Sequence, residues 1–167
     1  MFDADDESRR DFLKCMAWAG TGALFTLEAG ISSSIALDGA LAAPLHPTGT
    51  RPFTFVQLSD SHIGFNKPPN PDARATFREA IAKVKALPVQ PDFVIHTGDV
   101  SQLSRDDEFD DADQMLKELR LPVFFIPGEH DMLDPENGKA FLDRFGKGSI
   151  GSGWYSFDHK GVHFVAL

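Results

Sequence analysis

Cysteine is almost absent from this chain. The single thiol, Cys15, excludes an intramolecular disulfide and any zinc or iron–sulfur site built on several thiolates. A metal centre here would have to draw on His, Asp, Glu or Asn. Positive charge is also scarce, with 16 Lys and Arg against 25 Asp and Glu and a net charge of -9. That balance gives no evident nucleic-acid-binding surface, which would need a basic face. It leaves room for a small phosphorylated substrate, because bound cations can reverse the sign of a local site. Long hydrophobic runs are missing too. The uncharged stretch 15–27 is too short to span a bilayer comfortably, and Glu28 interrupts it, so no stable transmembrane anchor is expected. No internal repeat is visible.

What is present is ordinary globular composition, 42% hydrophobic and 25% charged, with 15 Phe that point to a strand-rich core. The length of 167 residues fits one domain plus extra segments. The extra segment is N-terminal. Ser8-Arg9-Arg10-Asp11-Phe12-Leu13-Lys14 resembles the twin-arginine export signal, Ser/Thr-Arg-Arg-x-Phe-Leu-Lys, and a mostly apolar run follows it. Small residues at Ala40, Leu41, Ala42 and Ala43 stand at a plausible cleavage distance. The resemblance implies a signal peptide over residues 1–43, recognition by the twin-arginine export machinery, and a periplasmic or extracellular location. Residues 44–52, rich in Pro, Gly and Thr, read as a linker.

From residue 53 the chain alternates. Strands are expected at 53–59, 93–97 and 123–126, and helices at 72–87, 106–120 and 138–145. A hairpin over 154–158 and 162–167 closes the chain. Asp72 is a natural N-cap, and Pro88 and Pro91 end the first helix. The acidic run Asp106, Asp107, Glu108, Asp110, Asp111 and Asp113 reads as a solvated helix face that also favours the helix dipole. Strand–helix–strand order implies parallel strands joined by right-handed crossovers, an α/β sheet flanked by helices.

Each of the three strands ends in a short polar tag: Asp60-Ser61-His62, Gly98-Asp99, and Gly128-Glu129-His130-Asp131. In a parallel sheet the carboxyl ends of neighbouring strands share one edge, so these tags can converge. Carboxylates crowded in a cleft repel unless cations neutralise them. Oxygen and imidazole ligands without thiolate suit Mn, Fe, Zn or similar ions. A pair of such ions can clamp a phosphoryl group. No Gly-x-Gly-x-x-Gly follows the first strand, which argues against a dinucleotide-binding domain. His96, at the end of the second strand, could stand behind the site or pack in the core.

The three blocks together resemble the calcineurin-like metallophosphoesterases, whose motifs read Asp-x-His, Gly-Asp and Gly-Asn-His-Asp/Glu. The resemblance spans residues 53–167. It implies the N-terminal half of an αββα sandwich and two divalent metal ions. Asp60 and His62 would hold the first ion, Asp99 would bridge both, and Glu129 would hold the second. His130 would contact the phosphoryl oxygens or protonate the leaving group, and Asp131 would orient His130. A hydroxide between the metals would attack a phosphate mono- or diester. Two departures stand out. Glu129 replaces Asn, and the family's further downstream histidine ligands have no counterpart before Leu167. The domain therefore reads as truncated at its C-terminus, and a non-catalytic remnant binding one metal or none is the alternative.

Overall fold

A computed structural model describes residues 52–167 and, upstream, the backbone of strands β1 (Gly22–Glu28) and β2 (Ile31–Ala36). The export motif at 8–14, the cleavage stretch at 40–43 and linker residues 44–51 lie outside the described residues. The two upstream strands fall within the segment that resembles a signal peptide. β2 pairs antiparallel with β1, and β1 pairs antiparallel with β3 (Phe53–Leu58).

The expected alternation follows. Helix α1 (Ala73–Lys85) starts where Asp72 accepts the Ala75 N–H at 2.9 Å. β4 (Phe93–His96) leads to α2 (Asp106–Lys117), and β5 (Val123–Phe125) leads to a 3₁₀ turn (Glu129–Met132) and α3 (Lys139–Phe145). A hairpin of β6 (Tyr155–His159) and β7 (Val162–Ala166) completes the described chain. The main sheet runs β2-β1-β3-β4-β5, with β3, β4 and β5 mutually parallel. This is the expected α/β class; the 3₁₀ turn is an addition.

Strand alternation sorts the core into two layers. Val56, Leu58 and Val94 face the helices and are fully buried among Phe77, Ile81 and Val84 of α1 and Phe109, Ala112 and Leu116 of α2. Phe53, Phe55, Phe93 and Phe124 face the other way, onto the hairpin. Phe157 stacks on Phe124 with ring centroids 3.8 Å apart, and Phe164 meets Phe55 edge-on at 5.5 Å. Both faces of β4 are thus covered, which explains its apolar run Phe93-Val94-Ile95. At the end of the sheet remote from the polar tags, Asp92 accepts from His159 at 3.2 Å and from Lys160, tying the hairpin turn to the start of β4.

One residue of the acidic run departs from a solvated face. Glu108 is completely buried. Its Oε2 accepts the Leu103 N–H at 2.8 Å, and its side chain fills space that a Cβ on Gly64 would occupy. Gly64 has φ +107, so glycine is required there on both counts. The helix periodicity that points Glu108 inward is the same one that buries Phe109 and Ala112.

Candidate metal centre

The register of the sheet brings the tags together. Leu58, His96 and Phe125 stand side by side, so the residues after them leave from one edge. The parallel ladder then continues into the loops. Asp60 donates its N–H to the Gly98 carbonyl at 3.0 Å, His62 to Asp99 at 2.9 Å, and Ile63 to Val100 at 2.9 Å. Asp60, His62 and Asp99 all have positive φ, at 56°, 41° and 51°. Asp and His enter that region more readily than most residues, and such strain persists where the surroundings over-determine it. Gly98 and Gly128 allow the second and third loops to touch. A Cβ on Gly98 would lie 2.7 Å from the Gly128 nitrogen, and one on Gly128 would run into the Asp99 carboxylate.

Donor atoms of His62, Asp99 and His130 lie within 4.8 Å of one another. His62 Nε2 sits 3.7 Å from Asp60 Oδ1 and 3.6 Å from Asp99 Oδ2. The His62 and His130 rings meet edge-on at 4.8 Å. Burial pulls the His62 imidazole down, but the Asp60 and Asp99 carboxylates outweigh it, and its pKa is raised. His62 in turn holds the Asp60 carboxyl below its usual range against partial burial. His130 is fixed from behind: the Gln102 carbonyl lies 2.7 Å from its Nδ1, and Asp99 Oδ1 accepts its backbone N–H at 2.9 Å. A carbonyl at Nδ1 requires the proton there, which leaves Nε2 free as a ligand or acceptor.

Residues 53–165 match the calcineurin-like phosphoesterase family. The chain belongs to that family. Curated relatives agree. A probable glycerophosphodiester phosphodiesterase GpdQ of Arcobacter nitrofigilis is 33% identical over 96 residues, covering 54% of this chain and 33% of the relative. Glycerophosphodiester phosphodiesterase GpdQ of Enterobacter lignolyticus is 35% identical over 60 residues, covering 36% of this chain and 22% of the relative. The Mre11 DNA double-strand break repair protein of Methanococcus maripaludis is 33% identical over 98 residues, covering 52% and 26%. The chain thus spans between about a fifth and a third of the length of these relatives.

As a calcineurin-like phosphoesterase the chain should hold divalent metal, and its donors fit one. His62 Nδ1 is buried without a hydrogen-bond partner, while its Nε2 stands beyond hydrogen-bond reach of two carboxylates. Such a set of imidazole and carboxylate donors, gathered but not satisfied by one another, suits a divalent metal ion.

The six residues singled out from the sequence do not gather equally. The donors of His62, Asp99 and His130 gather, and Asp60 adjoins them beside His62. The Glu129 side chain is 87% exposed and reaches no closer than 4.0 Å to His130 Nε2. Asp131 is fully buried, and its carboxylate bonds to groups other than the His130 ring. Oδ2 accepts the Val100 and Gly128 N–H groups at 3.1 and 3.0 Å, and Oδ1 accepts the Ser101 N–H at 2.9 Å and its hydroxyl at 3.1 Å. The part expected of Asp131, orienting His130, is filled by Gln102 and Asp99. Gln102 carried no signal in the sequence, because the group that acts is its backbone carbonyl, which every residue type has.

Proposed function

We propose that this chain forms the metal-holding part of a phosphoesterase, with phosphate diesters as its substrate class. The observation that carries the reading is the convergence of His62, Asp99 and His130 donor atoms at the carboxyl edge of a parallel sheet. A divalent ion held there would neutralise phosphoryl charge and make water a competent nucleophile at neutral pH. Asp60 and Asp99 flank His62 on two sides and would keep negative charge beside the ion. His130, locked by Gln102 and Asp99, presents Nε2 toward the reacting phosphate or the metal. No serine or cysteine need attack.

The diester preference rests on charge and on kinship. Asp60, Asp99 and Glu129 surround the site, and the Lys and Arg ion pairs of the described residues lie elsewhere, with Asp92, Asp106, Asp110, Asp111 and others. A singly charged diester meets less repulsion there than a doubly charged monoester. Two of the relatives above are named as phosphodiesterases. The gathered donors support one ion more directly than two, since the exposed Glu129 would have to swing inward to hold a second. The twin-arginine-like motif supports export to the periplasm or beyond, and no helix among the described residues is long and apolar enough to cross a membrane.

The test is hydrolysis of bis(p-nitrophenyl) phosphate and p-nitrophenyl phosphate by the Mn²⁺-loaded protein. Diester turnover should exceed monoester turnover and should vanish with EDTA. D99A and H130A should each lose at least about 100-fold in rate, the scale of a lost acid–base or electrostatic contact. Undiminished turnover in both variants would refute the reading.

A further inference from the structure

A second polar pair lies directly beneath the metal centre, in the core. His96 closes β4 and is fully buried, with Phe77 edge-on at 6.0 Å and Phe125 stacked at 6.1 Å. Its Nε2 lies 3.0 Å from Ser61 Oγ, and Ser61 is itself fully buried. The Ser61 hydroxyl donates to the Val100 carbonyl at 3.1 Å. That one proton is therefore committed, so His96 must donate its Nε2–H to Ser61. The His96 Nδ1 is left as a bare acceptor, buried with no partner.

An unsatisfied buried nitrogen is costly, and a Leu or Phe at this position would avoid it. The polar choice calls for a reason beyond packing. The position of Ser61 supplies one. It stands between Asp60 and His62, both in left-handed backbone, and alternation sends its side chain inward while theirs face the site. Val100, its acceptor, follows Asp99. The chain His96–Ser61–Val100 therefore links the end of β4, the loop of Asp60 and His62, and the loop of Asp99.

We propose that His96 and Ser61 are positioning residues that set the spacing of the metal-binding loops from inside the core. His96 orients the Ser61 hydroxyl, Ser61 ties the strained turn to Val100, and the His62 and Asp99 side chains are held at their mutual distance before any ion arrives. The inference rests on the metal-centre reading above. It assigns a role to two residues that stand outside the gathered donors.

The test compares Mn²⁺ affinity, by calorimetry or by the free-ion paramagnetic resonance signal, in the unchanged chain, S61A, H96F and H96Q, with melting followed in parallel. S61A and H96F should weaken Mn²⁺ binding by about 10–100-fold, the usual effect of removing an outer support of a metal ligand. H96Q, whose amide can still donate to Ser61, should recover most of that loss, a rescue that packing alone does not predict. Folded S61A and H96F that bind Mn²⁺ as tightly as the unchanged chain would overturn the inference while leaving the metal centre intact. Failure of both variants to fold would overturn it too, by making the pair a core element. An unchanged chain that binds no Mn²⁺ would overturn the metal-centre reading and this inference with it.

Discussion

Asp131 follows His130 in sequence, yet its carboxylate serves three backbone N–H groups and a hydroxyl from two different loops. Burial pushes its carboxyl pKa up, and those four donors pull against that rise. An anion this deep is held only by such donors. D131N would set an amide N–H₂ against at least one backbone N–H and leave a buried donor unpaired. It should cost about 3 kcal/mol of stability, measured by urea unfolding, because several buried groups lose their partner together. A loss under about 1 kcal/mol, the size of a single ordinary hydrogen bond, would mean the carboxylate is not the clasp between the loops. Glu108 and Gly64 show the same logic on a smaller scale: a buried carboxylate caps a loop, and the facing residue must lack a side chain. Neither role is legible in the sequence. Two of the partners of Asp131, Val100 and Ser101, lie about thirty residues away, and an Asp at a strand end and a Glu at a helix start look like surface residues until the chain closes over them.

The elements themselves were largely legible. Period-2 and period-3.6 patterns, with Asp72 as a cap and prolines as stops, delimit β3, β4, β5, α1 and α2 to within a few residues of where they occur. Their order implied a parallel sheet, and the shared edge of that sheet implied that the tags meet. The hairpin β6–β7 has a structural task at this scale, covering the phenylalanine layer on the sheet face away from the helices. Phe157 is its anchor, stacked on Phe124 and edge-on to Phe93 at 5.6 Å. F157A should lose about 2–3 kcal/mol, somewhat below a fully buried Phe truncation because the ring is only partly buried. It should also make the turn at Lys160 more open to trypsin, since the Phe164 and His159 ring contacts and the Asp92 contact would have to hold the hairpin without the stack. Mn²⁺ affinity should hold steady, because the site lies at the opposite edge. Unchanged proteolysis at Lys160 would show that the stack does not dock the hairpin.

For the molecule as a whole, acid should be more damaging than the abundance of carboxylates alone suggests. Burial lowers the His96 pKa to about 4, whereas the unfolded chain titrates near the ordinary value. Between those limits the unfolded state binds the extra proton, so stability falls as pH drops through that window. The metal-free chain should be about 2 kcal/mol less stable at pH 5 than at pH 7 from this residue alone. Asp92, held below its ordinary range despite burial by Lys160 and His159, adds a further loss at lower pH as its carboxylate is protonated. Urea midpoints across pH 4–8 for the chain and for H96Q would measure the His96 share. Equal slopes for the two between pH 5 and pH 7 would remove His96 as the cause.

The sequence by itself determined the α/β alternation, the family-type blocks and the set of side chains able to ligate metal, because local periodicity and short-range spacing are written in consecutive residues. Tertiary structure decided which of those side chains face one another. Glu129 and His130 are adjacent in the chain, yet one is exposed and the other is drawn into the site. The reason is that the Asp99 and Asp131 carboxylates accept backbone N–H groups of His130 and Gly128, while the Gln102 carbonyl holds the His130 ring. The same long-range closure buried Ser61 and Glu108, which carried no signal in the sequence, and decided that His96 packs in the core behind the site, since burial and partner choice belong to the packed chain and not to any stretch of it.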